Sequence, residues 1–350
     1  MYAIRLMAPN KCEFVELDRP IPREYEVLIK VHRVGICGTD FELFKGTMPY
    51  FEMGWTSFPI VLGHEWSGTI VETGSAVETF AEGNRVTGDV SIGCGICELC
   101  MRGMYSLCDH RKEVGISRGK NGAFAQYITM PAKHCYPLPE GVSLDDGSLV
   151  EPTATAFRAI RKARLEPGST VYVAGDGPIG LLAMQCAKAF GATRVILGGT
   201  NDLKLSKASE LGAHMTINVT NSPVEDLVLD HTGGRGVDLS IEASGFGKAL
   251  NECIKVTRMG GRVSVIGIYE QPVERLDMSL AVVKDLELCC SVASPNSFAQ
   301  TLELMALEQI RVSPLVSRVY DFEDVGAAFE RLQSKSDDCI KIQLAPPTDD

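Results

Sequence analysis

The stretch Thr170-Val171-Tyr172-Val173-Ala174-Gly175-Asp176-Gly177-Pro178-Ile179-Gly180 decides the fold. Its first five residues read as a buried strand, the glycines as a tight turn, and the apolar run through Phe190 as a helix. A G-x-G-x-x-G motif in that strand-turn-helix setting is a dinucleotide fingerprint. Gly175 permits the turn, Gly177 lets a pyrophosphate approach the backbone, and Gly180 lets helix pack on strand. Pro178 and Ile179 open a helix whose N-terminus faces the phosphates. An ordinary glycine-rich turn would share the letters without the βα pattern that follows. Further strands are expected at about 194–197, 215–219, 238–243, 262–268 and 286–292, alternating with helical stretches, which calls for a parallel sheet in an α/β domain.

The end of the second strand, Val195-Ile196-Leu197-Gly198-Gly199-Thr200-Asn201, bears on which dinucleotide binds. NAD sites place an Asp or Glu there to accept the adenine-ribose hydroxyls. None is present after Gly199, while Thr200, Asn201 and Lys204 can offer hydrogen bonds and a positive charge to a 2′-phosphate. NADP is therefore favoured. NAD remains possible if Gly199 tolerates both cofactors and Asp202 serves the ribose.

Upstream of Glu151-Pro152 the texture differs: short β-type runs broken by Gly and Pro suggest a β-rich, barrel-like domain. Within it, Cys94, Cys97, Cys100 and Cys108 follow a C-x2-C-x2-C-x7-C spacing. Four thiolates so spaced can converge on one zinc ion about 2.3 Å away, a closed structural site without an open coordination position. A pair of disulfides is the competing reading. It belongs to small secreted domains, whereas 350 residues can bury real cores. A second, incomplete ligand set comes from two loops, Cys37 in Cys37-Gly38-Thr39-Asp40 and His64-Glu65 in Gly63-His64-Glu65-Trp66-Ser67-Gly68. Alone, a Cys is more often core filler and a His-Glu pair a surface turn. Together they leave a metal position open for water or substrate, which is what a catalytic zinc requires.

A net charge of -11 argues against a nucleic-acid partner, since phosphate contact needs clustered Lys and Arg. The N-terminal residues lack the apolar core of a secretory signal, and the longest apolar run is too short to span a bilayer, so a cytoplasmic location without membrane contact is expected.

In order along the chain, the Cys37–Asp40 C-G-T-D, the G-H-E-x2-G-x5-G-x2-V from Gly63 to Val77, the cysteine quartet and the G-x-G-x-x-G resemble the zinc-dependent medium-chain dehydrogenase/reductase family over nearly the whole length. The resemblance implies a GroES-like β-rich catalytic domain from residues 1–152 and 294–350, with a structural zinc lobe at about 93–110. It also implies a Rossmann NAD(P)-binding domain from residues 153–293. It makes Cys37 and His64 constant ligands of the catalytic zinc, Glu65 an exchangeable one and Glu151 a fourth candidate. Val150-Glu151-Pro152 resembles the polyol branch, where the ethanol-type branch has Cys. Thr39 lies where the family keeps a hydroxyl that takes the alcohol proton, and Thr155 where a residue faces the nicotinamide. Glu42 stands in place of the His common in sorbitol and threonine dehydrogenases, as a base acting through water or as a substrate contact. The implied activity is reversible oxidation of a secondary alcohol to a ketone with two zincs per chain. The substrate would be a polyol, sugar alcohol or cyclitol, phosphorylated or not, with L-threonine the nearest rival and a noncatalytic scaffold a distant one. A homodimer or homotetramer is implied as well.

Overall fold

The computed structural model describes residues 1–334 and 338–348, so residues 335–337 and 349–350 of the expected C-terminal segment lie outside the described residues. The chain divides into two compact units, one of Met1–Glu151, Ala293–Ala306 and Leu315–Asp350, the other of Pro152–Val292 and Leu307–Pro314. The boundary falls inside the helix Val150–Lys162.

In the second unit, Thr170–Ala174 sits inside a six-stranded sheet whose order is Met215–Asn218, Arg194–Gly199, Thr170–Ala174, Val237–Glu242, Thr257–Val265, Glu287–Cys290. Every pairing is parallel. Parallel strands covered on both faces need apolar residues on both, and Val171, Tyr172 and Val173 are all fully buried. The order reverses on either side of Thr170–Ala174, the doubly wound arrangement that opens a crevice at the carboxyl ends of the strands. Helix Pro178–Ala189 starts with Pro at its first position, where a missing N–H costs nothing. At Gly180 a Cβ would run into the Gly175 carbonyl group, its carbon only 2.8 Å away, so only glycine lets the helix start this close to the turn.

Leu307–Pro314 belongs to this second unit, which corrects the expectation that everything from residue 294 returns to the first. The Gln185 side chain holds the segment at both backbone groups of Arg311, accepting its N–H at 2.8 Å and donating to its carbonyl at 3.1 Å. The Arg311 guanidinium also donates to the Glu210 carbonyl at 3.0 Å. Such side-chain-to-backbone anchors carry no sequence pattern.

The first unit is β-rich. Its largest sheet runs Cys135–Pro137, Arg85–Gly88, Glu65–Thr73, Glu26–Gly35, Lys341–Ala345, Val316–Asp321, with Tyr127–Pro131 also pairing on Glu26–Gly35. Tyr2–Ala8, Lys11–Glu16 and Ile60–Val61 form a second sheet, and Ser91–Ile92 pairs with Lys112–Glu113. Trp66, Phe124, Phe322 and Phe329 are fully buried in its core, each ring contributing roughly 1.5–3 kcal/mol over leaving it in water. Tyr50 and Phe51 pack against this core, and the Phe51 and Phe58 rings stack at 4.5 Å. Among the described residues no helix is long and apolar enough to cross a membrane.

Candidate metal centres and dinucleotide cleft

Among the described residues, two groups of side chains that could hold a metal ion lie in the first unit. Cys37 precedes the short helix Gly38–Lys45, and His64 and Glu65 stand at the start of strand Glu65–Thr73. Their ligand atoms lie within 4.8 Å of one another, with His64 and Glu65 buried. Asp40, which has no exposed surface, ties the two loops together. Its Oδ2 accepts the Cys37 N–H at 2.9 Å, its Oδ1 accepts the Gly63 N–H at 3.1 Å, and Oδ1 stands 3.4 Å from His64 Nδ1. A carboxylate behind a histidine fixes the ring and raises its basicity as a ligand. Burial opposes a charge on His64, and the Asp40 carboxylate overcomes it, lifting the imidazole well above the usual histidine range.

On its other side Glu65 meets a cation that the sequence does not announce. Lys341, 3% exposed, presses Nζ against Glu65 Oε2 and donates to the Ile36 carbonyl at 3.0 Å. Burial works against its charge, and the facing carboxylate outweighs that and raises its basicity. Gly35 makes room for the pair, since a Cβ there would meet Glu65 Oε2 and lie 3.0 Å from Lys341 Cε.

Glu151, expected as a fourth ligand, is not part of this three-residue group. Its buried carboxylate accepts the Ser294 hydroxyl at 3.2 Å, and burial pushes it up to about 7, against the pull of nearby His64. Thr39 and Glu42 lie half-buried on the Gly38–Lys45 helix, and Thr155 half-buried on Val150–Lys162, one turn past Glu151.

Cys94, Cys97, Cys100 and Cys108 form the second group, their sulfurs within 4.8 Å of one another. Cys94 and Cys100 sulfurs are 3.9 Å apart, far beyond a disulfide bond of about 2.05 Å. A tetrahedron with arms of about 2.3 Å has edges of about 3.8 Å, so the spacing is that of zinc thiolates. Backbone N–H groups of Ile96 and Cys97 draw the Cys94 thiol down to about 6, whereas burial pushes Cys100 up to about 12. Four thiolates cannot all ionise side by side without a cation, and a divalent ion removes that conflict. Both donor sets therefore fit zinc: one closed and all-sulfur, the other mixed S/N/O with three donors.

In the second unit a cleft of about 450 Å³ opens at the carboxyl ends of the strands, lined among others by Gly175, Asp176, Gly177, Gly199 and Thr200. Pro178, Ile179 and Gly180 form the first turn of the helix beside it. The Asn201 side-chain oxygen accepts the Lys204 N–H at 3.0 Å and caps helix Asp202–Glu210. One residue in the cleft escaped the reading by strand ends: Asp176, whose carboxylate reaches the tip of strand Arg194–Gly199 and accepts the Thr200 N–H at 2.7 Å and the Asn201 N–H at 2.9 Å. An acidic residue between the first two glycines of a phosphate-binding loop was the available signal.

Residues 23–140 match the alcohol dehydrogenase GroES-like domain and residues 178–307 the zinc-binding dehydrogenase domain. Sorbitol dehydrogenase of Halalkalibacterium halodurans is 34% identical over 334 residues, covering 95% of this chain and 94% of that one. A putative zinc-binding dehydrogenase of Sinorhizobium meliloti 1021 bound to NADP superposes with a TM-score of 0.91 at 30% identity, over 99% of each chain. An alcohol dehydrogenase from Escherichia coli CFT073 complexed with NADH gives a TM-score of 0.90 at 28% identity, again over 99% of each chain.

Proposed function

The chain belongs to the zinc-dependent medium-chain alcohol dehydrogenase family, and from that premise we propose that it transfers hydride between a polyol and NAD(P), giving a ketone. The observation that carries this reading is the convergence of three chemically different, largely buried donors, Cys37, His64 and Glu65, within 4.8 Å, in a chain that also bears a dinucleotide fingerprint. Three protein ligands leave a zinc ion open to substrate. When bound, the zinc supplies Lewis acidity toward the substrate oxygen and the nicotinamide supplies the hydride acceptor.

This chain's own residues do the rest. Asp40 fixes the loop of Cys37 against that of His64, so the donors are presented without reorganisation. Thr39, two residues beyond Cys37, takes the substrate hydroxyl proton, and Glu42 further along the same helix receives it through water. Glu151 is retained as a fourth ligand candidate at the edge of the group, its carboxylate close enough to feel His64 and Glu65 and accepting from Ser294. Thr155 faces the nicotinamide. The four cysteines hold a structural zinc. A sorbitol-oxidising relative supports a polyhydroxy substrate over L-threonine.

A second copy of the chain is part of the same proposal. Strand Glu287–Cys290 is the edge of the parallel sheet, and Val282, Val283, Leu288 and Val292 around it are exposed. An apolar sheet edge is a pairing template, so a homodimer or homotetramer is expected by light scattering.

The test combines metal analysis with turnover of polyols, polyol phosphates and L-threonine, each with NAD and NADP. Two zincs per chain and polyol oxidation are expected. Cys37→Ala retains the fold, loses the catalytic zinc and loses turnover. Full activity in that variant defeats the assignment.

A further inference from the structure

The missing carboxylate at the end of strand Arg194–Gly199 is missing only in sequence. In space Asp176 supplies one, from the phosphate-binding loop across the crevice. Its Oδ2 takes the N–H groups of Thr200 and Asn201, the two backbone donors immediately after Gly199. The same placement explains Gly199: a Cβ there would lie 2.5 Å from Asp176 Oδ2 and 2.6 Å from Cγ, so the strand can end in a side chain or receive Asp176, but not both. Asp176, Gly199 and Thr200 all line the dinucleotide cleft.

We propose that Asp176 is the residue by which this site selects NAD over NADP. The inference rests on the dinucleotide reading above and deepens it. A 2′-phosphate carries up to two negative charges and needs hydrogen-bond donors; here the two backbone donors at the strand tip already hold an anion, and that anion would face the incoming phosphate. Adenine-ribose hydroxyls, by contrast, are donors. With both backbone bonds made to Oδ2, Oδ1 can accept from the 2′- and 3′-hydroxyls, the service a strand-end carboxylate ordinarily performs. Of the other groups expected to greet a 2′-phosphate, Lys204 is not among the residues that line the cleft, and Asn201 is oriented by its side-chain oxygen, which accepts the Lys204 N–H. The sequence preference for NADP, drawn from the bare strand end, takes the opposite sign once Asp176 is counted.

The experiment is direct binding to the zinc-loaded protein without substrate, followed by reduced-nicotinamide fluorescence for NADH and NADPH. Calorimetry for ADP against 2′,5′-ADP isolates the ribose end from the nicotinamide. Wild type is expected to bind NADH at least roughly tenfold more tightly than NADPH, a like-charge penalty of ordinary size at a partly exposed site. Asp176→Asn keeps an oxygen for the Thr200 and Asn201 N–H groups while removing the charge, and Asp176→Ser frees those donors. Both are expected to narrow the NADH/NADPH ratio by roughly tenfold or more, and Asp176→Ser to gain 2′,5′-ADP affinity. Equal or tighter NADPH binding by wild type overturns the proposal, as does an unchanged ratio in Asp176→Asn. Failure of wild type to bind either reduced cofactor overturns the dinucleotide reading itself, a result distinguishable from the other two.

Discussion

Replacing Lys341 by Met removes a positive charge from a place where water cannot replace it. The ammonium is 3% exposed and its partner Glu65 is 1% exposed, and the pair lies against the bare backbone of Gly35. Truncating one member of such a pair strands the other as a buried charge, a loss of about 3–5 kcal/mol. Neutralising Glu65 as well, in Lys341→Met/Glu65→Gln, removes the stranded charge, so most of that loss is expected to return. The measurement belongs in a Cys37→Ala background, which is expected to empty the proposed three-donor zinc site and to leave the proposed four-cysteine site loaded, so that no ion compensates Glu65. The chain's two tryptophans, Trp55 and Trp66, both lie in the first unit, so their fluorescence during urea unfolding reports that unit alone. A coupling energy above about 2 kcal/mol between the two substitutions is expected. Additivity within about 0.5 kcal/mol, the behaviour of independent sites, would refute the pair as a structural unit.

Two further outcomes follow from the same unit. Cys100→Ser is expected to lose one zinc per chain and to lower the first unit's stability while leaving NADH affinity in the second unit intact; an unchanged zinc content and an unchanged tryptophan unfolding curve would contradict the structural-zinc role. His134 is buried, and burial with Lys133 beside it lowers its pKa to about 4. The unfolded chain binds the proton first as pH falls, so stability is complete above the ordinary histidine value of about 6.5 and is lost between there and about 4, by an amount on the order of 3 kcal/mol. His134→Gln should flatten that slope relative to wild type, and parallel pH profiles of the two proteins would show that His134 titrates normally.

What could be read from the sequence was what is local in it. The strand-turn-helix at Thr170–Gly180 announces itself because buried parallel strands are continuously apolar, Gly175 takes a positive φ and Gly180 packs directly on the Gly175 carbonyl group. The cysteine quartet is legible because its ligands fall within one short segment. Residues that meet across distant strands are not. Lys341 reads as an ordinary solvated lysine, and only the pairing of Lys341–Ala345 beside Glu26–Gly35 brings it to Glu65. Asp176 belongs to one βα turn and acts at the end of another strand, so a search confined to that strand's own tip misses it. Glu151 was placed among the ligands by resemblance, and its hydroxyl partner Ser294 comes from a segment that no motif marks.

The position of Lys341–Ala345 has a consequence for how the chain is made. This strand lies between Glu26–Gly35 and Val316–Asp321, two strands far apart in the order of synthesis. A ribosome delivering the chain from the N-terminus completes every strand of the parallel sheet by Cys290, while in the first unit the Val34–Gly35 end of strand Glu26–Gly35, beyond the reach of Tyr127–Pro131, still waits for its partner Gln343–Leu344. Nascent protein therefore carries a complete parallel sheet beside an unfinished β-rich unit, the latter exposing an unpaired strand end until Lys341–Ala345 emerges, which is the interval in which chaperone capture or aggregation competes with closure.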